Sequence, residues 1–104
     1  MQLISVEEVK KRMDAGEELN ILDVREPAEY AEFNIGGKLL PLGKVQTMQV
    51  EEIEDWKDQE VIIHCRSGKR SMMACLFLDT LGFRDTKNLE GGLVEWESKF
   101  GKTQ

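Results

Sequence analysis

A β-branched run, Val61-Ile62-Ile63, is joined by one short polar segment to a strongly apolar stretch, Ser71 to Leu81, that Gly82 closes. Successive side chains of a strand point to opposite faces, so three Val/Ile residues in a row predict a strand covered on both sides, as in a parallel sheet. The stretch that follows predicts a helix stopped by glycine. Strand, tight connection and helix in that order constrain the chain to an open α/β arrangement, whose sites form beyond the carboxyl ends of the strands.

The flanking segments repeat the alternation. Ser5 and Glu8 have capping-box spacing, and Val6, Val9 and Met13 recur at helical intervals until Gly16. Asn20 to Val24 reads as a strand, and Glu26-Pro27 opens a helix carrying Tyr30 and Phe33. Asn34-Ile35-Gly36-Gly37 breaks that helix, and Lys38 to Leu42 reads as a short strand that Pro41 keeps out of the sheet centre. Between Gln49 and Glu60, Val50, Ile53 and Trp56 form one apolar stripe on an otherwise acidic, solvated helix. Thr86 to Leu89 is a candidate strand, and a last helix runs from about Leu93 to Phe100 after Gly91-Gly92.

A chain of 104 residues supports one compact domain, 1–104. At this size roughly 65% of the unfolded surface is buried on folding, enough for a core without disulfide or metal staples. The net charge of −6 argues against sequence-independent nucleic-acid binding, which needs a basic face. No apolar run approaches the length of a membrane span, and the acidic start MQLISVEE does not read as a secretory leader. The two cysteines, Cys65 and Cys75, have no partners at zinc-site spacing, so no metal is implied, and a reducing cytoplasm is the expected location.

The connection itself concentrates charge and a nucleophile: His64-Cys65-Arg66-Ser67-Gly68-Lys69-Arg70-Ser71. A loop entering a helix N-terminus can aim several backbone N–H groups at one point, and the helix adds about half a positive charge there. Gly68 permits backbone angles that other residues adopt reluctantly. Helix N-termini and neighbouring cations lower a cysteine pKa, so Cys65 is predicted to be a nucleophilic thiolate in an anion cradle, aided by Arg66, Lys69 and Arg70.

Other residues carry weaker signals. Cys75 lies mid-helix and reads as core, while His64 precedes Cys65 by one residue and should point to the opposite side of the strand. Asp23 and Arg25 close the first clear strand at the edge where Cys65 emerges. They either shape the pocket rim or form a structural ion pair that anchors the loop.

Asp23-Val24-Arg25-Glu26, the Cys-x4-Arg spacing of Cys65 to Arg70, and Glu90-Gly91-Gly92 together resemble, in order and spacing, the single-domain rhodanese (thiosulfate sulfurtransferase-like) family, from about Ile21 to Trp96. The resemblance implies a three-layer α/β fold, with a central, mostly parallel five-stranded sheet flanked by helices. It also implies double-displacement sulfur transfer through a cysteine persulfide. Cys65 matches the sulfur-accepting nucleophile, Arg66, Ser67, Gly68, Lys69 and Arg70 complete the six-membered loop it begins, and Ser71 matches the start of the following helix. An Arg directly after the Cys is similar to thiosulfate-using members. The implied partners are a small anionic sulfur donor and a thiol or cyanide acceptor, which includes a protein thiol; no organic cofactor is implied. Asn34 and Gly36 stand where many relatives have His and Pro, which bears on rim shape and acceptor preference.

Two rival readings remain at this level. A protein-to-protein persulfide carrier or binding module differs little in its residues. Phosphatase or arsenate reductase chemistry also uses a cysteine in an oxyanion loop ending in Arg, but phosphatases use Cys-x5-Arg, and here that sixth step lands on Ser71.

Overall fold

The computed structural model describes residues 1–102. Five strands alternate with helices: β1 (Gln2–Ile4), α1 (Val6–Asp14), β2 (Ile21–Asp23), α2 (Pro27–Glu32), β3 (Lys38–Leu39), α3 (Leu42–Gln46), a 3-10 helix (Glu51–Trp56), β4 (Glu60–His64), α4 (Lys69–Thr80), β5 (Asp85–Leu89) and α5 (Gly92–Phe100). All pair in parallel, in the order β1-β5-β4-β2-β3. The chain leaves β2 outward toward β3 and leaves β4 in the other direction toward β5. The crevice where those connections part lies above the carboxyl ends of β2 and β4, the switch point of such a sheet.

Alternation along the strands builds two cores. Leu22, Val61 and Ile63 pack with Ala74, Cys75 and Leu78 of α4, while Ile21, Ile62 and Leu89 pack with Val6 and Val9 of α1 and Leu93 and Trp96 of α5. Val61, Ile62 and Ile63 are each almost fully buried, as a run covered on both faces requires. Glu60 ties the second layer to the sheet: Arg12 of α1 and Lys87 of β5 both donate to its carboxylate, at 2.6 and 2.5 Å.

Several elements depart from their expected bounds. The stripe at Val50, Ile53 and Trp56 belongs to a 3-10 helix, not an α-helix. Its three-residue spacing is that of a helix with three residues per turn. The helix α4 begins at Lys69, two residues before Ser71, because Gly68 at φ 103° turns the chain directly into it. Lys69 and Arg70 therefore sit in a first turn that the helix dipole makes unfavourable for cations, which is why apolar patterning alone starts the helix too late. Phe33 is extended and ends α2 instead of lying on it. The strand expected over Lys38 to Leu42 pairs only at Lys38 and Leu39, and the one-turn helix α3 follows from Pro41.

The turn after α2 is hydrogen-bonded through the two residues that depart from the family pattern. Asn34 Nδ2 donates to the Tyr30 carbonyl, Asn34 Oδ1 accepts from Gly36 N–H at 2.9 Å, and Gly36 takes φ 89°. β1 was not visible in the sequence pattern: it is three residues long, only Ile4 of it is buried, and its partners Lys87 to Leu89 lie at the far end of the chain.

Trp96 is fully buried in the α1/α5 layer and meets Phe100 edge-on, with ring centroids 5.1 Å apart. Trp96→Ala is expected to cost about 3–5 kcal/mol, read as a lower urea midpoint with little change in the denaturant slope.

Candidate active site

Cys65 follows β4 directly, and the loop from it to Gly68 curls into the N-terminus of α4. The Cys65 Sγ accepts from the backbone N–H of Gly68 at 3.2 Å and of Ser71 at 3.4 Å, and its thiol donates to the Ser71 hydroxyl at 3.4 Å. Burial pushes the thiol pKa up. The hydrogen bond that the Ser71 hydroxyl can donate to the ionised sulfur, and those from the N–H groups of Ser71, Gly68 and Ser67, outweigh it and bring the pKa below the ordinary cysteine value. The local cause is thus oriented backbone and one hydroxyl, with the loop cations at longer range.

Those cations divide. Arg70 forms a two-pronged pair with Glu29 of α2, at 2.8 and 3.0 Å. That pair holds the Glu29 carboxyl down at about 2, and it offsets much of the charge the sequence placed beside the sulfur. Arg66 and Lys69 are exposed. Arg66 borders a depression of about 210 Å³ shared with Arg25, Glu29 and Phe33, and Lys69 borders one of about 410 Å³ with Ser67, Gly68, Met72 and Met73. The sulfur lies beneath these surfaces, only 1% exposed as a residue. A third depression, about 510 Å³ and bordered by Met13, Trp56 and Lys38, includes no residue of the loop.

Asp23 and Arg25 form a buried ion pair. Arg25 Nε and Nη2 donate to the two Asp23 carboxylate oxygens at 3.0 and 2.8 Å, and Nη2 also donates to the Phe33 carbonyl at 2.7 Å. The pair ties the end of β2 to the end of α2, which is the anchor reading, and Arg25 also borders the smaller depression. His64 lies on the face opposite Cys65, beside Asp23 at 3.8 Å, with neither ring nitrogen hydrogen-bonded among the described residues. Burial pushes its pKa down to about 4, with Arg25 adding to that and Asp23 opposing it, so the ring is neutral near pH 7. Cys75 is core: burial and the charge of Asp79 push its thiol up to about 12.

Two supports of the loop escaped the residue-by-residue reading. The N–H groups of Leu93 and Val94, at the start of α5, donate to the carbonyls of Cys65 and Arg66 at 3.0 and 2.9 Å. With those carbonyls held by α5, the N–H groups further along the loop are left to face the sulfur. Gly92 makes the approach possible: it has φ 59°, and a Cβ there would lie 2.6 Å from the Arg66 carbonyl oxygen and 2.7 Å from that of Cys65. Its signal was the Glu90-Gly91-Gly92 motif, whose spacing is visible but whose partner is not. Asn88 of β5 is the second support, donating from Nδ2 to the Gly68 carbonyl and accepting from the Ser71 hydroxyl. A polar residue in a weakly patterned strand was its only trace. Among the described residues no cluster of His, Cys, Asp and Glu is arranged to hold a metal ion, and no helix is long and apolar enough to cross a membrane.

Comparison with known proteins gives the family of the chain. The family described as "Rhodanese-like domain" matches residues 5–99. The chain is 40% identical over 97 residues to "Putative sulfurtransferase YtwF" of Bacillus subtilis, covering 92% of this chain and 90% of that protein. It is equally similar to "Putative sulfur carrier protein YrkF" of the same organism, of which it spans about half, 51%. Among solved structures, a rhodanese-like domain protein from Staphylococcus aureus superposes with a TM-score of 0.79 at 28% identity, over 92% of this chain and 91% of that one.

Gly92→Ala is expected to cost at least about 2 kcal/mol, because both the positive φ and the contact with loop backbone oppose a side chain. The thermal melt reads that cost, and slower alkylation of Cys65 reads the displaced loop. Acid sensitivity follows from His64. The unfolded chain takes up that proton near pH 6.5 and the folded chain only near 4, so stability falls as pH drops through this window. The loss is on the order of 3 kcal/mol, and His64→Gln should flatten it. Glu29 and Glu60, both held at about 2, add a further loss of the same sign below about pH 4.5.

Proposed function

The chain belongs to the rhodanese-like domain family, a family of sulfurtransferases, and from that premise we propose that it moves sulfane sulfur from an anionic donor such as thiosulfate to cyanide or a thiol through a persulfide on Cys65. The observation that carries this reading is the convergence of the Gly68 and Ser71 N–H groups on a buried sulfur whose pKa lies below its ordinary value. The proposed unit is the single domain 1–104.

In the first displacement the Cys65 thiolate attacks the outer sulfur of thiosulfate. A new S–S bond forms, the donor's S–S bond breaks, and sulfite leaves with the electron pair. Arg66 and Lys69, exposed beside the loop, draw in the dianion and assist its departure. The loop N–H groups, from Ser67 through Ser71, then hold the terminal persulfide sulfur as an anion. In the second displacement a nucleophilic acceptor, cyanide carbon or a thiolate, attacks that terminal sulfur, and the bonding pair returns to Cys65. Arg70 is assigned to loop architecture because Glu29 occupies both of its prongs. The role of Asp23 and Arg25 is to fix the rim from beneath.

A second reading, delivery of the sulfur to a protein thiol, is favoured by the carrier named among the relatives and by the near-complete burial of Cys65, which rewards an acceptor that docks over the loop. Phosphoryl chemistry is disfavoured: the loop is one residue short of Cys-x5-Arg, and its arginine is paired with a carboxylate.

After incubation with thiosulfate the intact protein should gain the mass of one sulfur atom, and cyanide should release that sulfur as thiocyanate. Cys65→Ala should do neither; equal loading of that variant would reject the mechanism. Arg66→Gln and Lys69→Gln should each raise KM for thiosulfate about two- to fivefold with little change in kcat, as expected of exposed charges worth about 0.5–1 kcal/mol, and added salt should shrink the difference.

A further inference from the structure

Asn88 is buried on β5 and holds both ends of the loop's second half with one amide. The partners decide which end of that amide is which. The Gly68 carbonyl only accepts, so Nδ2 must face it, at 3.2 Å. Oδ1 is thereby turned to Ser71, whose hydroxyl donates to it at 2.5 Å. A hydroxyl has one proton. With that proton given to Asn88, the Ser71 Oγ shows lone pairs to Cys65 and accepts from the thiol at 3.4 Å. This direction suits a protonated sulfur. A thiolate needs the hydroxyl proton for itself, and Ser71 can supply it only by turning away and leaving a buried amide oxygen without its partner.

We propose that Asn88 is a positioning residue that competes with Cys65 for the single proton of the Ser71 hydroxyl, so that ionisation of the thiol and reorientation of Ser71 are one coupled event. The thiol proton leaves to solvent, Ser71 keeps its own proton and redirects it to Sγ, and Asn88 Oδ1 loses one hydrogen bond. The inference rests on Cys65 being the sulfur-carrying nucleophile, but it concerns the proton equilibrium of the site before a donor arrives. Its physical use is a resting site held toward the less reactive thiol, which becomes a better nucleophile only when the hydroxyl turns.

The charged and titratable groups around Cys65 are distributed over its own loop and four elements. Arg66 lies on its own loop, Lys69 and Arg70 lie in the first turn of α4, and Cys75 lies further along that helix. His64 ends β4, the Asp23–Arg25 pair stands at and just past the end of β2, and Glu29 of α2 takes up the charge of Arg70. Asn88 is uncharged, so replacing it with a neutral residue leaves every one of these charges in the chain.

The test is the pH dependence of Cys65 alkylation by iodoacetamide, located by peptide mass, in the unaltered chain, Asn88→Leu, Ser71→Ala and the double variant. Loosening of the Gly68 carbonyl acts alike with or without Ser71, whereas release of the hydroxyl proton acts only when Ser71 is present. The apparent pKa change caused by Asn88→Leu should therefore be more downward, by about half to one unit, in the Ser71 background than in the Ser71→Ala background, the span one hydrogen bond implies. At fixed pH that is about a three- to tenfold larger thiolate fraction. Equal changes in the two backgrounds, or a change more upward with Ser71 present, overturn the proposal and leave Asn88 a loop support. If circular dichroism shows that Asn88→Leu does not fold, Asn88→Ala completes the same cycle. Sulfur loading from thiosulfate, measured on the unaltered chain, separates the two claims: its failure rejects the sulfur-transfer reading while the alkylation cycle still reports on Asn88.

Discussion

The loop around Cys65 depends on two hydrogen bonds made behind it. When α5 donates Leu93 N–H and Val94 N–H to the carbonyls of Cys65 and Arg66, it fixes those peptide planes from outside the loop. What remains on the inner side is a set of backbone donors, and they converge on the sulfur. A helix N-terminus whose own first N–H groups would otherwise be unpaired thus satisfies carbonyls of a loop that lies at the N-terminus of another helix. The two helix ends lie at one edge of the sheet because all five strands are parallel, so the loops that follow β4 and β5 both emerge at the carboxyl edge.

Electrostatics at this edge are arranged in pairs. Arg25 is closed on Asp23, and Arg70 is closed on Glu29, so two of the positive charges near the sulfur act as struts that hold β2, α2 and α4 together. Arg66 and Lys69 stay exposed. The Asp23–Arg25 pair is buried and hydrogen-bonded, so breaking it from one side is costly, whereas the Arg70–Glu29 pair is about one-third exposed and acts mainly through its two-pronged geometry. The net charge of −6 is an average over the whole chain and does not describe the site.

How much of this was legible depended on the range of the interaction. The strand over Val61 to Ile63, the glycine-turned loop and the apolar helix after it were readable because each is a local pattern of side-chain type. So was the contrast between Cys65 at a helix entrance and Cys75 in a helix interior. The 3-10 helix was misread because a three-residue apolar spacing satisfies α-helical and 3-10 templates alike. β1 was missed because its stability comes from pairing with β5, more than eighty residues away, and not from its own three side chains. From the sequence Arg70 reads as a cation aiding Cys65, since nothing local shows that Glu29, 41 residues earlier, will meet it.

By itself the sequence determined the alternating α/β order, the burial of the central strand, and the placing of one cysteine where backbone donors gather. Those outcomes follow from side-chain pattern and from the conformational freedom of Gly68, which act over a few residues. Only the tertiary structure decided which donors face the sulfur, which cations are already paired, and that Gly92 and Asn88 hold the loop from behind. Each of those contacts joins segments far apart in the chain, so its energy exists only once the parallel sheet has brought β2, β4, β5 and the start of α5 to a common edge.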